Sequence, residues 1–212
     1  MSRVVLNGDW HIGQGEITPE QIKEIAKTHW RGAKVILMGD LIDAGLANGM
    51  QFENELQPQA QLRWIRTITK EINVVAYCLG NHEYRIFNQV GLNVYEEYLG
   101  KPSHEITIDG IKFYFAHGRS TAMDIWNEHR KLLQFLDADV IALGHNHVLA
   151  KLDVLRENKR VTLLRTGSLA RGLQYAVERS LPPTLLGWAE YDTRRKSARL
   201  MMVDSEGEVQ EI

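Results

Sequence analysis

The chain alternates between short apolar runs that end in polar residues and longer stretches with helical spacing. Residues 3–9 (RVVLNGD), 33–40 (AKVILMGD) and 73–81 (NVVAYCLGN) are nearly continuous apolar runs, the pattern of strands covered on both faces. Two helical segments separate them. Residues 18–30 offer Thr18 as N-cap, Pro19 at the first helical position and Gln21 for a capping box. Residues 58–72 place Leu62, Ile65, Ile68 and Ile72 on one helical face. The order β-α-β-α-β predicts a parallel sheet with crossover helices.

The second half reads differently. Residues 104–118 predict a hairpin turning at Asp109-Gly110, residues 121–136 an amphipathic helix, and residues 139–147 (DVIALGHNH) one more apolar strand. Residues 152–168 and 186–203 predict further antiparallel hairpins. A parallel half followed by a hairpin-rich half predicts two sheets packed face to face, with helices outside. No repeat, low-complexity tract or linker interrupts the chain, so residues 1–212 read as one domain.

Composition narrows the class. With 212 residues, 44% of them hydrophobic, the chain buries one substantial core and is short for two domains. A formal net charge of −2 gives no global attraction to nucleic acid or to an anionic membrane. The local basic clusters at 156–160 (RENKR) and 194–196 (RRK) read as solvated hairpin turns. No apolar stretch has the length of a membrane span, and the N-terminus runs straight into a strand-like segment. The single cysteine, Cys78, lies in an apolar run and reads as a buried small hydrophobe. Together these features give the expectation of a soluble, cytoplasmic protein without membrane partners.

The candidate chemistry lies where the strands stop. Asp9 and His11, Asp40, Asn81 and His82, His117, and His145 and His147 all occupy predicted strand ends. In open α/β sheets, ligands bind beyond the carboxyl ends of the strands. On extended backbone, residues i and i+2 point the same way, which is expected to aim Asp9 with His11 and His145 with His147. Each motif alone has an ordinary reading: a turn at Gly39-Asp40, a helix cap at 80–83, a surface turn at 145–147. Their ordered recurrence at strand ends favours one site. Asp, Asn and His ligands without a thiolate suit Mn²⁺, Fe²⁺, Zn²⁺ or Ni²⁺. Seven candidate ligands exceed the needs of one catalytic ion and suit two ions sharing a carboxylate, roughly 3.5–4 Å apart.

The ordered set GDWH, GDLID, GNHE, HG and GHNH, spread over residues 9–147, resembles the five-block signature of calcineurin-like metallophosphoesterases. The resemblance implies a four-layer α/β/β/α sandwich of two mixed sheets flanked by helices. It implies Asp9, His11 and His147 on one metal, Asn81, His117 and His145 on the other, and Asp40 bridging. His82 corresponds to the histidine that contacts substrate and protonates the leaving oxygen. Residues 165–171 (RTGSLAR) resemble the glycine-serine segment that follows the last block. Glu83 stands where many relatives have Asp, and Asn146 where many have Thr; neither is a ligand position. Asp43 reads equally as an acid that orients a ligand and as a helix N-terminal acid.

The functional expectation is hydrolysis of a phosphate ester, most readily a diester of a nucleotide or nucleic acid, by a hydroxide bridging two ions with His82 as general acid. Mn²⁺ is the expected metal, with Fe²⁺, Zn²⁺ and Ni²⁺ as alternatives. Arg85 and Arg119 are candidate phosphate contacts, with solvated or ion-paired arginines as the alternative. Competing functions are a DNA or RNA nuclease, a phosphomonoesterase, and a non-catalytic scaffold, which should lack ligands or the histidine acid. A nuclease usually carries a further nucleic-acid-binding module, for which residues 1–212 leave no room. Residues 44–66 and 84–103 are long enough to shape a groove. Their aromatics Phe52, Trp64, Tyr84 and Phe87, beside Arg63, Arg66 and Arg85, either stack on bases or pack the inserts onto the core.

Overall fold

The structure is a computed structural model that describes residues 1–14, 17–44, 56–119, 124–171 and 184–212. The first three strands follow the predicted pattern. β1 (Arg3–Asn7), β2 (Lys34–Leu37) and β3 (Asn73–Tyr77) are parallel neighbours, joined through α1 (Pro19–His29) and α2 (Pro58–Thr69). Thr18 closes a capping box on α1: its hydroxyl accepts from the Gln21 N–H at 3.3 Å, and the Gln21 amide oxygen accepts from the Thr18 N–H at 2.9 Å. α2 buries Ile65 and Ile68, with Leu62 and Ile72 half-buried against the same core. The helix stops at Thr69, so Ile72 packs from the turn that follows.

The division of the sheets corrects the expectation of a parallel half and a hairpin half. β9 (Leu186–Asp192), β10 (Ser197–Val203) and β11 (Val209–Glu211) return to the first sheet, where β9 lies antiparallel to β1 in the order β11-β10-β9-β1-β2-β3. β1 is buried on both faces and has two backbone edges to satisfy; β2 takes one and β9 the other. The second sheet has the order β4-β5-β6-β8-β7, from β4 (Glu105–Ile108), β5 (Ile111–Ala116), β6 (Val140–Leu143), β7 (Leu149–Arg156) and β8 (Lys159–Thr166). Its centre, β5-β6-β8, is parallel, and the hairpin partners β4 and β7 lie antiparallel outside it.

Strand alternation builds the four layers. Val4 and Leu6 point between the sheets, where they meet Ile36, Met38, Phe113, Phe115, Val140 and Ala142, with Cys78 buried among them. Val5 points the other way, toward Ile22 of α1 and Ile65 of α2. On the opposite outside, Ile141 and Leu163 meet Leu132 and Leu133 of α5 (Asn127–Leu133). The helix predicted over 121–136 is therefore shorter, and residues 120–123 lie outside the described residues. Periodicity did not announce α3 (Asn81–Val90), α4 (Glu96–Leu99) or β11, although the cap reading of 80–83 matches the start of α3. The basic cluster at 156–160 forms the β7–β8 turn, and the one at 194–196 the β9–β10 turn. Among the described residues, no helix is long and apolar enough to cross a membrane.

One titratable group sits in the outer layer. His129 of α5 is fully buried, and its Nε2–H donates to the Leu164 carbonyl of β8 at 3.0 Å. Burial, reinforced by the Arg165 guanidinium, depresses its pKa to about 4. The unfolded chain therefore binds this proton more tightly, so the stability is present above about pH 6.5 and is lost as pH falls toward 4. The full effect is on the order of 3 kcal/mol. In His129→Gln, which keeps a donor toward Leu164, the fall in Tm between pH 6.5 and 4 is expected to be shallower than in wild type. Parallel pH profiles of the two proteins would assign the acid sensitivity elsewhere.

Candidate metal centre

The strand ends converge through backbone strain rather than through the pleat. Asp9, His11, Asp40, His145 and His147 have φ of 52°, 44°, 49°, 76° and 54°, all in the left-handed region. The expectation that Asp9 with His11, and His145 with His147, lie on extended backbone is thereby corrected. Each pair is aimed by tight left-handed turns, because a plain strand continuation would carry its residues past the site. Such conformations cost about 1–2 kcal/mol each, and a dense hydrogen-bond network holds them. The Asp40 carbonyl accepts from the N–H groups of Trp10 and His11 at 2.9 and 3.0 Å. The His145 N–H donates to Asp9 Oδ2 at 3.0 Å, and the His82 N–H to Asp40 Oδ1 at 2.8 Å. Ser168, at the end of β8, donates its hydroxyl to the Asp9 carbonyl at 2.6 Å, which gives the RTGSLAR segment a structural role.

The loops after β2 and β3 cross in contact, and only glycine fits there. A Cβ on Gly80 would lie 2.1 Å from Asp40 Oδ1; one on Gly39, at φ 82°, would lie 2.3 Å from the Gly80 nitrogen. Glu83, 1% exposed in the first turn of α3, ties the crossing together. Its Oε2 accepts from the N–H groups of Gly80 and Asp40, each at 2.8 Å. Its Oε1 accepts from the Leu41 N–H at 2.9 Å and from the Tyr95 hydroxyl at 2.6 Å. Burial, then the charge of Asp40, raises its pKa, and these donors oppose the rise.

All seven expected ligand residues come together. His117 Nδ1–H donates to the Met38 carbonyl at 2.9 Å, which turns Nε2 toward the site. That Nε2 lies 3.1 Å from Asp40 Oδ2, 3.0 Å from Asn81 Oδ1 and 3.2 Å from His145 Nδ1. Beside this group, His11 Nε2 and His147 Nε2 are 3.1 Å apart, and Asp9 Oδ1 is 3.4 Å from His147 Nε2. Ligand atoms of Asp9, His11 and His147 fall within 4.8 Å of one another, as do those of Asp40, His117 and His145.

The electrostatics match a cation site. Asp9 Oδ1 is buried without a hydrogen-bond partner. Burial alone would raise the pKa of Asp9 and Asp40, yet the surrounding imidazoles, His117 foremost, hold both below the usual range. Burial pulls His117 down, but Asp40 and Asp9 draw it up to about 10. Burial lowers His11 to about 4 and lowers His145 as well. Among the described residues, no lysine or arginine pairs with either carboxylate. The pocket therefore concentrates negative charge that only protonated imidazole or a bound cation can neutralise.

His82 stands beside this cluster. Its Nδ1 bonds the Asp43 carbonyl and lies 3.4 Å from Asp43 Oδ1, while its Nε2 is 3.8 Å from Asp40 Oδ2. Asp43 Oδ1 is also 3.6 Å from His11 Nδ1, so the acid sits between two imidazoles, in keeping with an orienting role. The Arg85 guanidinium lies along His82, with Nη1 3.2 Å from Nδ1 and Nη2 3.3 Å from Nε2. Arg85 and Arg119 both line a cleft of about 920 Å³ that opens beside Asn81, His117 and His145. Of the insert aromatics, Trp64 packs on the core, Tyr84 lines the cleft, Phe87 is exposed, and Phe52 lies outside the described residues.

Arg165 enters the sequence reading only as the first residue of RTGSLAR, with no role of its own. It is 1% exposed, donating to the Gly144 carbonyl at 3.2 Å and to the Ile125 carbonyl at 2.6 Å, and pairing with Glu128 at 3.2 Å. It thus supports the loop of His145. A charged residue inside the apolar run TLLRTGS was the available signal.

A family model described as calcineurin-like phosphoesterase matches residues 2–149. No curated protein sequence matches the chain. Among solved structures, the fold is similar to Vps29 complexed with zinc from Entamoeba histolytica, at 16% identity, covering 99% of this chain and 97% of that one, with a TM-score of 0.61. It is also similar to a predicted phosphoesterase from Streptococcus pneumoniae TIGR4, at 15% identity, 100% and 97% coverage and a TM-score of 0.53. A third similar structure is an archaeal phosphodiesterase, at 15% identity, 94% and 99% coverage and a TM-score of 0.56.

The Glu83 crossing yields a stability prediction. In Glu83→Gln, one of the two carboxylate oxygens becomes an NH₂ that faces backbone N–H donors. A loss of about 2–4 kcal/mol is expected in urea unfolding, from buried donors left unmatched. A loss below about 0.5 kcal/mol would show that the crossing holds without this carboxylate.

Proposed function

From a chain that belongs to the calcineurin-like phosphoesterase family, we propose a hydrolase that cleaves phosphate esters, phosphodiesters foremost, with two divalent ions. Asp9, His11 and His147 hold one ion, Asn81, His117 and His145 the other, and Asp40 is shared. Mn²⁺ is the first choice for this nitrogen and oxygen donor set, with Fe²⁺, Zn²⁺ and Ni²⁺ as alternatives. The observation that carries the reading is the clustering of every expected ligand, with His82 beside it, where it groups with His11 and Asp43. A scaffold that had lost catalysis would have no use for that histidine, so the enzymatic reading is better supported. One domain over residues 1–212 agrees with the return of β9–β11 to the sheet of β1.

When bound, the ions supply Lewis-acid charge for the phosphoryl oxygens and lower the pKa of water toward neutrality. The protein side chains do the rest. Asp43 anchors His82 through Nδ1, which leaves Nε2 to deliver a proton to the departing alkoxide. Arg85 lies along that imidazole and offers N–H donors to the phosphate. His117, fixed by the Met38 carbonyl, keeps its Nε2 pointed at the shared carboxylate.

Chelator treatment is expected to abolish hydrolysis of bis-p-nitrophenyl phosphate, and Mn²⁺ to restore it. Undiminished turnover in rigorously metal-free protein would sink the two-ion reading. His82→Ala should retain metal and fold while lowering kcat by ~10²–10⁴-fold on esters with alkoxide leaving groups. The loss should shrink for p-nitrophenolate, which departs without protonation. Wild type and variant compared on diesters of increasing leaving-group pKa give the test: identical dependences would remove His82 as the acid.

A further inference from the structure

The cleft beside the metal centre has a shape and charge that the reaction at phosphorus does not use. Phe113 and Phe115 of β5 face the inter-sheet core, so Tyr114 and Ala116 face outward and form the cleft floor. From His117 back to Tyr114 this floor runs roughly 10 Å along the strand. One wall is the α3 face of Asn81, Arg85 and Asn88; the other is the α5 face of Glu128 and Lys131. A volume of about 920 Å³ is that of a small-molecule site, many times the size of one phosphate.

Charge is the second observation. Arg85, Arg119 and Lys131 all line the cleft, and among the described residues none of the three has a carboxylate partner. Other cations on the same sheet and helix are engaged: Lys112 pairs with Asp137, Arg130 with Asp124 and Lys159 with Asp139, while Lys151, Arg156 and Arg160 donate to backbone carbonyls. The carboxylate in the lining, Glu128, is held by Arg165 at 3.2 Å and by the Arg119 N–H at 3.0 Å. Arg85 is committed to His82 at the metal end, which leaves Arg119 and Lys131 in excess of what the scissile phosphate needs. In a chain with a net charge of −2, this is a local positive concentration rather than a general one.

We infer that this cleft is a subsite for a second phosphate, so that the substrate is a nucleotide-sized phosphodiester carrying a further phosphate group. The inference rests on the phosphodiesterase reading above. Arg119 and Lys131 contact the second phosphate, and the rings of Tyr114 and His104 border the moiety that joins the two.

The test uses the Mn²⁺-loaded full chain. Kinetics compare the thymidine dinucleotide TpT with its 5′-phosphorylated and 3′-phosphorylated forms. Calorimetry compares thymidine 3′,5′-bisphosphate with thymidine 5′-phosphate. One phosphorylated dinucleotide is expected to exceed TpT in kcat/KM by about tenfold, through KM, and the bisphosphate to bind about tenfold more tightly. In Lys131→Gln and Arg119→Gln both ratios should fall toward one. Equal kcat/KM for the three dinucleotides, none of them cleaved while bis-p-nitrophenyl phosphate is, or ratios unchanged in both variants would each overturn the subsite. A kcat/KM that keeps rising with oligonucleotide length would overturn the restriction to a small molecule and favour a nucleic acid. If bis-p-nitrophenyl phosphate is not cleaved at all, the phosphodiesterase reading fails, while the bisphosphate binding ratio still decides the subsite.

Discussion

The architecture of the site hangs on one buried carboxylate. Glu83 gathers the N–H groups of Gly80, Asp40 and Leu41 with the hydroxyl of Tyr95, and so fixes where two loops from neighbouring strands cross. Asp40, Asn81 and His82 all leave that crossing, and their relative positions follow from it. Because Gly39 and Gly80 bring the backbones into contact, nothing softer than this network separates the loops. The anion is buried beside Asp40, which is unfavourable by itself. Its four close donors offset that cost and make the geometry stiff.

The centre also straddles the two sheets. Asp9, Asp40 and Asn81 follow strands of the first sheet, whereas His117 and His145 follow β5 and β6 of the second. The two half-sites meet only because the apolar side chains between the sheets set their separation. The bond from His117 Nδ1 to the Met38 carbonyl, and that from the Asn7 amide to the Thr166 carbonyl of β8, stitch the layers near this edge. Core packing is thus a determinant of the spacing of the candidate ligands, and an enlarged side chain between the sheets would reach the candidate metal centre without touching it.

The local grammar of the fold was legible. Apolar runs located the first three strands, and Thr18, Pro19 and Gln21 located the start of α1 to the residue. Strand partners were not legible, because periodicity tells which face of a strand is buried and not which neighbour fills its edge; hence the return of β9 and β10 to the first sheet was missed. Asp9, His11, Asp40, Asn81, His117, His145 and His147 were picked out by type and order, and the structure brings them together. The backbone that aims them was misread, since side-chain identity alone does not report a left-handed turn. Glu83 and Arg165 were undervalued for another reason. Both work by hydrogen-bonding distant backbone, and such partners have no sequence signature.

The left-handed turns constrain how this site can change over generations. Asp, Asn and His are the non-glycine side chains most at ease at positive φ, and they are also the ligands suited to borderline divalent ions. At Asp9, His11, Asp40, His145 and His147, conformation and coordination therefore select the same few residues, and the turn alone resists drift to bulky or β-branched side chains. His82 has no such claim on its backbone. It lies in the first turn of α3 with an ordinary helical conformation that almost any residue adopts. Along a lineage without need of the proposed hydrolysis, the turn residues would persist for their shape, and position 82 would be the first to wander.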